Sequence, residues 1–162
     1  MNPSASVAAS LELGNGFCAL SYSLDVQKII QSVGNEDAGA VAVFIGTTRK
    51  DTLQGRVVTR LEYQAYSKLA IKTMASIIHD VQTSVFPGES PAICCAAHHR
   101  LGVVPVGEPS IVIAVSAPHR KEAFIACERI LEEIKAKCPI WKREFYENED
   151  DETAEWKANQ AP

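Results

Sequence analysis

Apolar positions along the chain change period several times, and each change marks an element. Phe17 to Tyr22 alternates as a strand, and Leu24 to Val33 reads as a short helix that starts near Ser23 or Asp25 and ends at Gly34. Gly39 to Thr47 is nearly continuous in apolar residues (Ala40, Val41, Ala42, Val43, Phe44, Ile45), the pattern of a central strand buried on both faces. A polar loop, Arg49 to Arg56, separates it from Val57 to Ala65, whose alternation predicts the returning strand of an antiparallel pair.

Ser67 is placed to cap a long helix running to about Val85, with Leu69, Ala70, Met74, Ile77, Ile78 and Val81 at helical spacing and Pro87-Gly88 beyond its end. Two strands follow, Ala92 to Arg100 and Ser110 to Ser116, joined by a connection containing Gly102, Pro105, Gly107 and Pro109. A second long helix begins after Pro118 and presents Ala123, Phe124, Cys127, Ile130, Leu131, Ile134 and Cys138 as its core stripe. Pro139 disfavours helical geometry at Cys138, so this helix stops there and Pro139 to Phe145 continues extended. The order of elements predicts a single α+β domain: a largely antiparallel sheet packed with two long helices and one short one. Residues 1–16 read as a mobile leader, 17–157 as the folded domain and 158–162 as a tail.

Composition changes this picture little, and charge changes it locally. The 162 residues are 46% hydrophobic, enough for a core in one domain. The formal charge is -4, but six acids (Glu147, Glu149, Asp150, Asp151, Glu152, Glu155) fall in one stretch without a base. The other 14 acids face 16 bases, so an anionic ligand is compatible with the rest of the chain. Five cysteines without a CxxC spacing read as reduced thiols. No apolar run approaches the roughly 18 residues of a membrane span, and the first basic residue is Lys28, so neither a signal peptide nor a mitochondrial presequence is indicated. Cytosol is the expected compartment.

The candidate chemistry centres on the end of the second long helix. Lys135 lies in its last turn, beside Ile134 at the edge of the core stripe, and Lys142 lies on the extended segment after Pro139. Two elements meeting at one corner can aim two ammonium groups at one anionic ligand. Arg49 follows a buried strand directly and is either an ordinary loop arginine or a site residue. Pro118-His119-Arg120 starts a helix, where free N–H groups and the helix dipole can bind a phosphate with Arg120 as a bidentate partner; the alternative is a solvated first turn. Cys94-Cys95 and His98-His99 do not make a metal site, because adjacent strand residues point to opposite faces. His99 and Arg100 remain possible supporting groups. There is no Walker loop, GxGxxG, GxSxG or HExxH, so no cofactor is indicated, and no basic stripe with interleaved aromatics suits nucleic acid.

Five motifs in order form a recognisable pattern: Phe44-x-Gly46-x-x-Arg49; Leu61-x-Tyr63-x-Ala65-Tyr66; His99-Arg100-x-Gly102 with Gly107-Glu108; Ser116-x-Pro118-His119-Arg120 with Ala123-Phe124; and Pro139-Ile140-Trp141-Lys142-Arg143-Glu144. In order and spacing they closely resemble the large, catalytic subunit of molybdopterin synthase, the MoaE family, over roughly Phe17 to Lys157. The family usually has Glu where this chain has Gln64, and a glycine before the tryptophan that corresponds to Trp156.

The resemblance implies an enzyme, a sulfurtransferase, that converts cyclic pyranopterin monophosphate to molybdopterin by adding two sulfurs as a dithiolene. It implies a small ubiquitin-like partner that carries sulfur as a thiocarboxylate on its C-terminal glycine, and a homodimer of large subunits within a heterotetramer. By motif position Lys135 and Lys142 match the family's catalytic lysines, and Arg49, His119, Arg120 and Arg143 its substrate-binding residues. The competing reading is a non-catalytic module that binds the carrier subunit or an anionic metabolite.

Overall fold

Chain order and hydrogen bonding divide the strands between two sheets that share one core. The structure, a computed structural model, describes residues 5–88 and 93–159. In chain order the elements are β1 (Ala9–Leu13), β2 (Gly16–Ser21), α1 (Val26–Ser32), β3 (Ala40–Thr47), β4 (Thr52–Leu53), β5 (Arg56–Ala65), α2 (Ser67–Val85), β6 (Cys94–Arg100), β7 (Gly102–Pro105), β8 (Pro109–Ala117), α3 (Arg120–Lys137), β9 (Ile140–Tyr146) and β10 (Lys157–Ala158). The first sheet has the order β1-β2-β6-β8-β3, and the second β10-β9-β5-β4 with β7 also paired to β5. Pairing is antiparallel except between β2 and β6. The fold is α+β and mostly antiparallel, as the element order predicts. The start of the Ala92–Arg100 strand lies outside the described residues, since Ala92 is not among them.

The helical periods hold apart from Leu69 of α2, which is 58% exposed, and Phe124 of α3. Ala70, Met74, Ile77, Ile78 and Val81 of α2 are buried, as are Ala123, Cys127, Ile130, Leu131 and Ile134 of α3. Both helices pack on the first sheet, α2 over β1 and β2 and α3 over β3 and β8. Tyr63, Ala65, Val104 and Ile140 bring the second sheet into the same cluster. The short α1, capped by Asp25 accepting from the Lys28 N–H at 3.1 Å, covers the other face of the first sheet with Ile29 and Val33 against Ala96, Val112 and Ala114.

Several expectations are corrected. The strand buried on both faces is β8, which lies between β6 and β3 with α3 on one side and α1 on the other. β3 is instead a sheet edge, and its outward residues Val41, Val43 and Ile45 are 48%, 38% and 42% exposed. β5 does not return beside β3; it leaves for the second sheet and pairs with β4, β7 and β9. Phe124 is 65% exposed, on the flank of the α3 stripe near the helix start.

Ser67 is inside α2 rather than its cap. Tyr66 occupies that position, and the Ser67 hydroxyl accepts from the Val7 N–H at 2.9 Å. That bond also corrects the leader over residues 5–16, residues 1–4 lying outside the described ones. Ser6 accepts from the Ala65 N–H, its carbonyl accepts from the Tyr22 hydroxyl, and Ala9–Leu13 forms an edge strand whose alternate residues face the core. At the other end the expected boundary at 157 cuts β10 in two.

The acidic stretch is matched locally. Arg56 pairs with Glu149 and Arg60 with Asp151, while their guanidinium groups lie over the rings of Tyr146 and Phe145. Two of the six acids in that stretch are therefore paired with arginines of β5.

Candidate functional site

The polar residues singled out in the sequence fall at two ends of the first sheet. β3 and β8 are antiparallel, with Ala40 opposite Ala117 and Thr47 opposite Pro109. His119 and Arg120 therefore stand where β3 begins, and Arg49 where it ends. The gap is about 25 Å, from the rise of eight strand residues. Lys135 is fifteen residues along α3 from Arg120, about 22 Å by helical rise, and so belongs to the Arg49 end.

At that end both lysines relate to one pair of rings, Lys142 by strand register and Lys135 by its charge. His99 is opposite Ile111, near the start of β8, and is 1% exposed. Its ring meets Tyr63 edge-on with centroids 4.9 Å apart, and Tyr63 is the cross-strand partner of Lys142. Directly opposed residues of an antiparallel pair share a face, which puts Lys142 on the Tyr63 side of the second sheet. Lys135 comes from α3 and interacts electrostatically with His99. The corner expected from Pro139 is thus formed: the Cys138 N–H closes α3 on the Ile134 carbonyl, and the Pro139 carbonyl accepts from the Tyr66 N–H at 3.1 Å.

Lys142 Nζ lies 3.5 Å from Glu144 Oε1, and Tyr146 donates to the other carboxylate oxygen at 2.6 Å. Burial pushes the Glu144 carboxyl up, but the Tyr146 hydroxyl, Lys142 and Lys157 together hold it below the usual carboxylate range. Glu144 therefore stays ionised beside Lys142.

His99 is neutral at physiological pH. Burial pushes its pKa down to about 4; the bond to the Arg100 carbonyl opposes this and the Lys135 charge adds to it. Its unfolded value is near 6.5. Between the two values the unfolded chain binds the proton and the folded one does not, so stability falls as pH drops from about 6.5 to about 4 and levels below. The loss expected from this group is about 3 kcal/mol. Urea unfolding across that range, compared with His99→Phe, checks it, because the variant should lack this part of the slope.

The remaining candidates are placed as follows. Arg49 is exposed and bonded to Asp51 at 2.8 Å, in a loop held by the Thr48 N–H on the Glu108 carbonyl. His119 is the N-cap residue of α3 and Arg120 its first residue; with Gly39, Pro118, Lys121 and Glu122 they line an open recess of about 410 Å³. Gly39 is required there, since a Cβ would lie 2.5 Å from the Pro118 carbonyl oxygen. Arg143 is not brought to the lysines. It is opposite Glu62, alternating with Lys142 to the other face of β9. There it pairs with Glu62 at 2.6 Å and stacks near Phe145 and Trp156, which fastens the C-terminal segment.

The Cys and His pairs are split across the sheet as expected: Cys95 lies in the main core and Cys94 against the α1 cluster, while His98 contacts Phe17 and His99 contacts Tyr63. Sequence reasoning missed Tyr63 and Asn159. The first was quoted only as part of the Leu61-x-Tyr63-x-Ala65-Tyr66 motif and given no role; the second carries no local signal, and its side-chain amide lies 3.2 Å from His99 Nε2.

The comparisons agree on one family. The family model described as MoaE protein matches residues 20–137. A molybdopterin synthase catalytic subunit from Pyricularia oryzae is 43% identical over 151 residues, 91% of this chain and 78% of that protein. One from Drosophila willistoni is 42% identical over 86% of this chain, which spans only 36% of that protein's length. Among solved structures, molybdopterin synthase from Staphylococcus aureus has a TM-score of 0.75 and 32% identity, covering 85% of this chain and 94% of that one.

Proposed function

Because the chain belongs to the MoaE family, we propose that it is the catalytic subunit of a molybdopterin synthase. It converts cyclic pyranopterin monophosphate to molybdopterin, as a sulfurtransferase that takes two sulfurs from the C-terminal thiocarboxylate of a small ubiquitin-like subunit. The observation that supports this reading is that Lys142 stands opposite Tyr63, whose ring meets buried His99 edge-on, while the charge of Lys135, from a different element, acts on that same His99. Two ammonium groups at one corner can hold an anionic pterin phosphate and offset the charge that builds as sulfur attacks and the cyclic phosphate opens. Five free cysteines fit a reduced, cytosolic setting. Among the described residues no helix is long and apolar enough to cross a membrane.

The site is completed by a second copy. Arg49 with the two lysines, and His119 with Arg120, stand at opposite ends of β3 and cannot meet within one chain. β3 is a sheet edge with an exposed apolar face, an invitation to pairing. If two β3 edges pair antiparallel about a two-fold axis, the beginning of one strand lies beside the end of the other. His119 and Arg120 of one copy then approach Arg49 of its partner. The homodimer is thus a requirement of the site, with a carrier subunit serving each half.

The test is product formation from cyclic pyranopterin monophosphate and a thiocarboxylated carrier. Dithiolene product formed by this chain with the carrier, and absent without either, is expected. A stable complex that yields no product would leave the binding-module reading in its place.

A further inference from the structure

His99 is a buried titratable group at the lysine end that the chemistry above does not use. Its Nδ1 lies 2.8 Å from the Arg100 carbonyl oxygen, which can only accept, so the ring proton is on Nδ1. Nε2 is then a lone pair, and the Asn159 amide donates to it at 3.2 Å. Both nitrogens are committed, and the edge-on Tyr63 ring sets the plane of the imidazole. Asn159 is held in turn, its N–H donating to the Ile140 carbonyl at 2.9 Å, just after β10 pairs with Trp141 and Lys142. One imidazole therefore joins β6, β5 and the C-terminal segment, next to the strand position of Lys142 and within the field of Lys135.

We propose that His99 is a positioning residue for the sulfur-transfer site, a neutral imidazole that locks Tyr63 and Asn159 into the floor from which Lys135 and Lys142 project. The proposal rests on the functional reading above. Neutrality matters for two reasons. An imidazolium would turn Nε2 into a donor facing the Asn159 donor, and it would add a positive charge to a ring that already feels the charge of Lys135 from α3; Lys142 stands opposite Tyr63 on β9, and Arg100 alternates to the other face of β6, paired with Glu108. Gly102, at φ +78°, turns the chain out of this strand two residues after Arg100, so the backbone that receives the Nδ1 proton is fixed by a conformation few side-chain-bearing residues adopt.

The experiment compares His99→Phe and His99→Gln with the unmodified chain, each in complex with thiocarboxylated carrier. The phenylalanine keeps a flat ring but neither nitrogen, so kcat is expected to fall about a hundredfold from a small misplacement of the lysines, with KM for the pterin substrate little changed. The glutamine retains an acceptor for Asn159 and should recover most of kcat. Imidazole nitrogen shifts measured by NMR should show the Nδ1–H tautomer at neutral pH, and Lys135→Ala should raise the midpoint at which His99 titrates. A folded His99→Phe enzyme with unchanged kcat overturns the proposal, as do equal losses of kcat in both variants that track their thermal midpoints. If His99→Phe does not fold, an Nε2–H or imidazolium signal in the unmodified chain, or an unmoved midpoint in Lys135→Ala, overturns it. The NMR readouts need no turnover, so a failure of the unmodified complex to form dithiolene strikes the functional reading alone.

Discussion

Lys135→Ala is expected to lower turnover by at least about a hundredfold, the lower range for a residue that moves a proton or holds charge in the transition state. Folding should barely change. Lys135 is half-buried in the last turn of α3, next to Ile134, which is 1% exposed and supplies the packing there. What the alanine variant forfeits in stability is a cation near a helix C-terminus, worth about 0.3 to 1 kcal/mol. Product formation under single turnover, with urea midpoints alongside, separates the two effects. Lys135→Arg sharpens the result, because guanidinium keeps the charge but does not exchange its proton near neutral pH. Recovery with arginine would assign Lys135 to charge stabilisation, and failure to recover would assign it to proton transfer. Retained turnover in a folded alanine variant would exclude an essential role.

Mixing two inactive variants is expected to restore activity. Arg120→Ala and Lys135→Ala should each form inactive homodimers, the first for want of substrate binding and the second for want of the lysine. Arg120 is about 22 Å from Lys135 along α3. A site shared between copies then draws its arginine from one chain and its lysine from the other. In a mixed dimer both lesions fall in the same site and the other site is intact. Random reassortment makes half of the dimers mixed, so about a quarter of the unmodified activity should return. Co-expression with two affinity tags measures it: the unsorted dimers should show that quarter, and the doubly tagged dimers, all of them mixed, about half. If doubly tagged dimers remain inactive, the site is not shared in this way.

Much of the fold could be read from the period of the apolar residues. Met74, Ile77, Ile78 and Val81 could belong only to a helix face, and the Pro139 boundary follows from the missing N–H. The run Val41 to Ile45 could not be interpreted from period alone, because a strand covered on both faces and an edge awaiting a partner look the same. Neither could the pairing of β5. Adjacency in sequence favours a hairpin with β3, whereas β5 crosses to another sheet where β9, almost eighty residues on, is its partner. Ala9, Leu11 and Leu13 alternate correctly, but the small polar residues around them hid a strand only five residues long. In the site, residue types were legible and positions were not. Arg49, His119 and Arg120 needed the β3–β8 register to be sorted to opposite ends, and Arg143 needed the β9 alternation to be moved to the far face. The Asn159–His99 bond joins residues sixty apart and leaves no trace in local pattern.

The five cysteines acquire a meaning from where they lie. Burial pushes the thiols of Cys18 and Cys127 up to about 11 and those of Cys95 and Cys138 up to about 12. A thiol of pKa about 11 is ionised to about one part in ten thousand at pH 7, and exchange with activated sulfur runs through the thiolate. A protein that takes sulfur from a thiocarboxylate, as proposed above, while carrying five thiols of its own would lose that sulfur as hydrosulfide wherever a thiolate displaced it at the carbonyl to form a thioester. Packing Cys18, Cys95, Cys127 and Cys138 as small hydrophobes keeps four of the five thiols away from that reagent, which under the proposed function leaves the pterin as the acceptor of the sulfur.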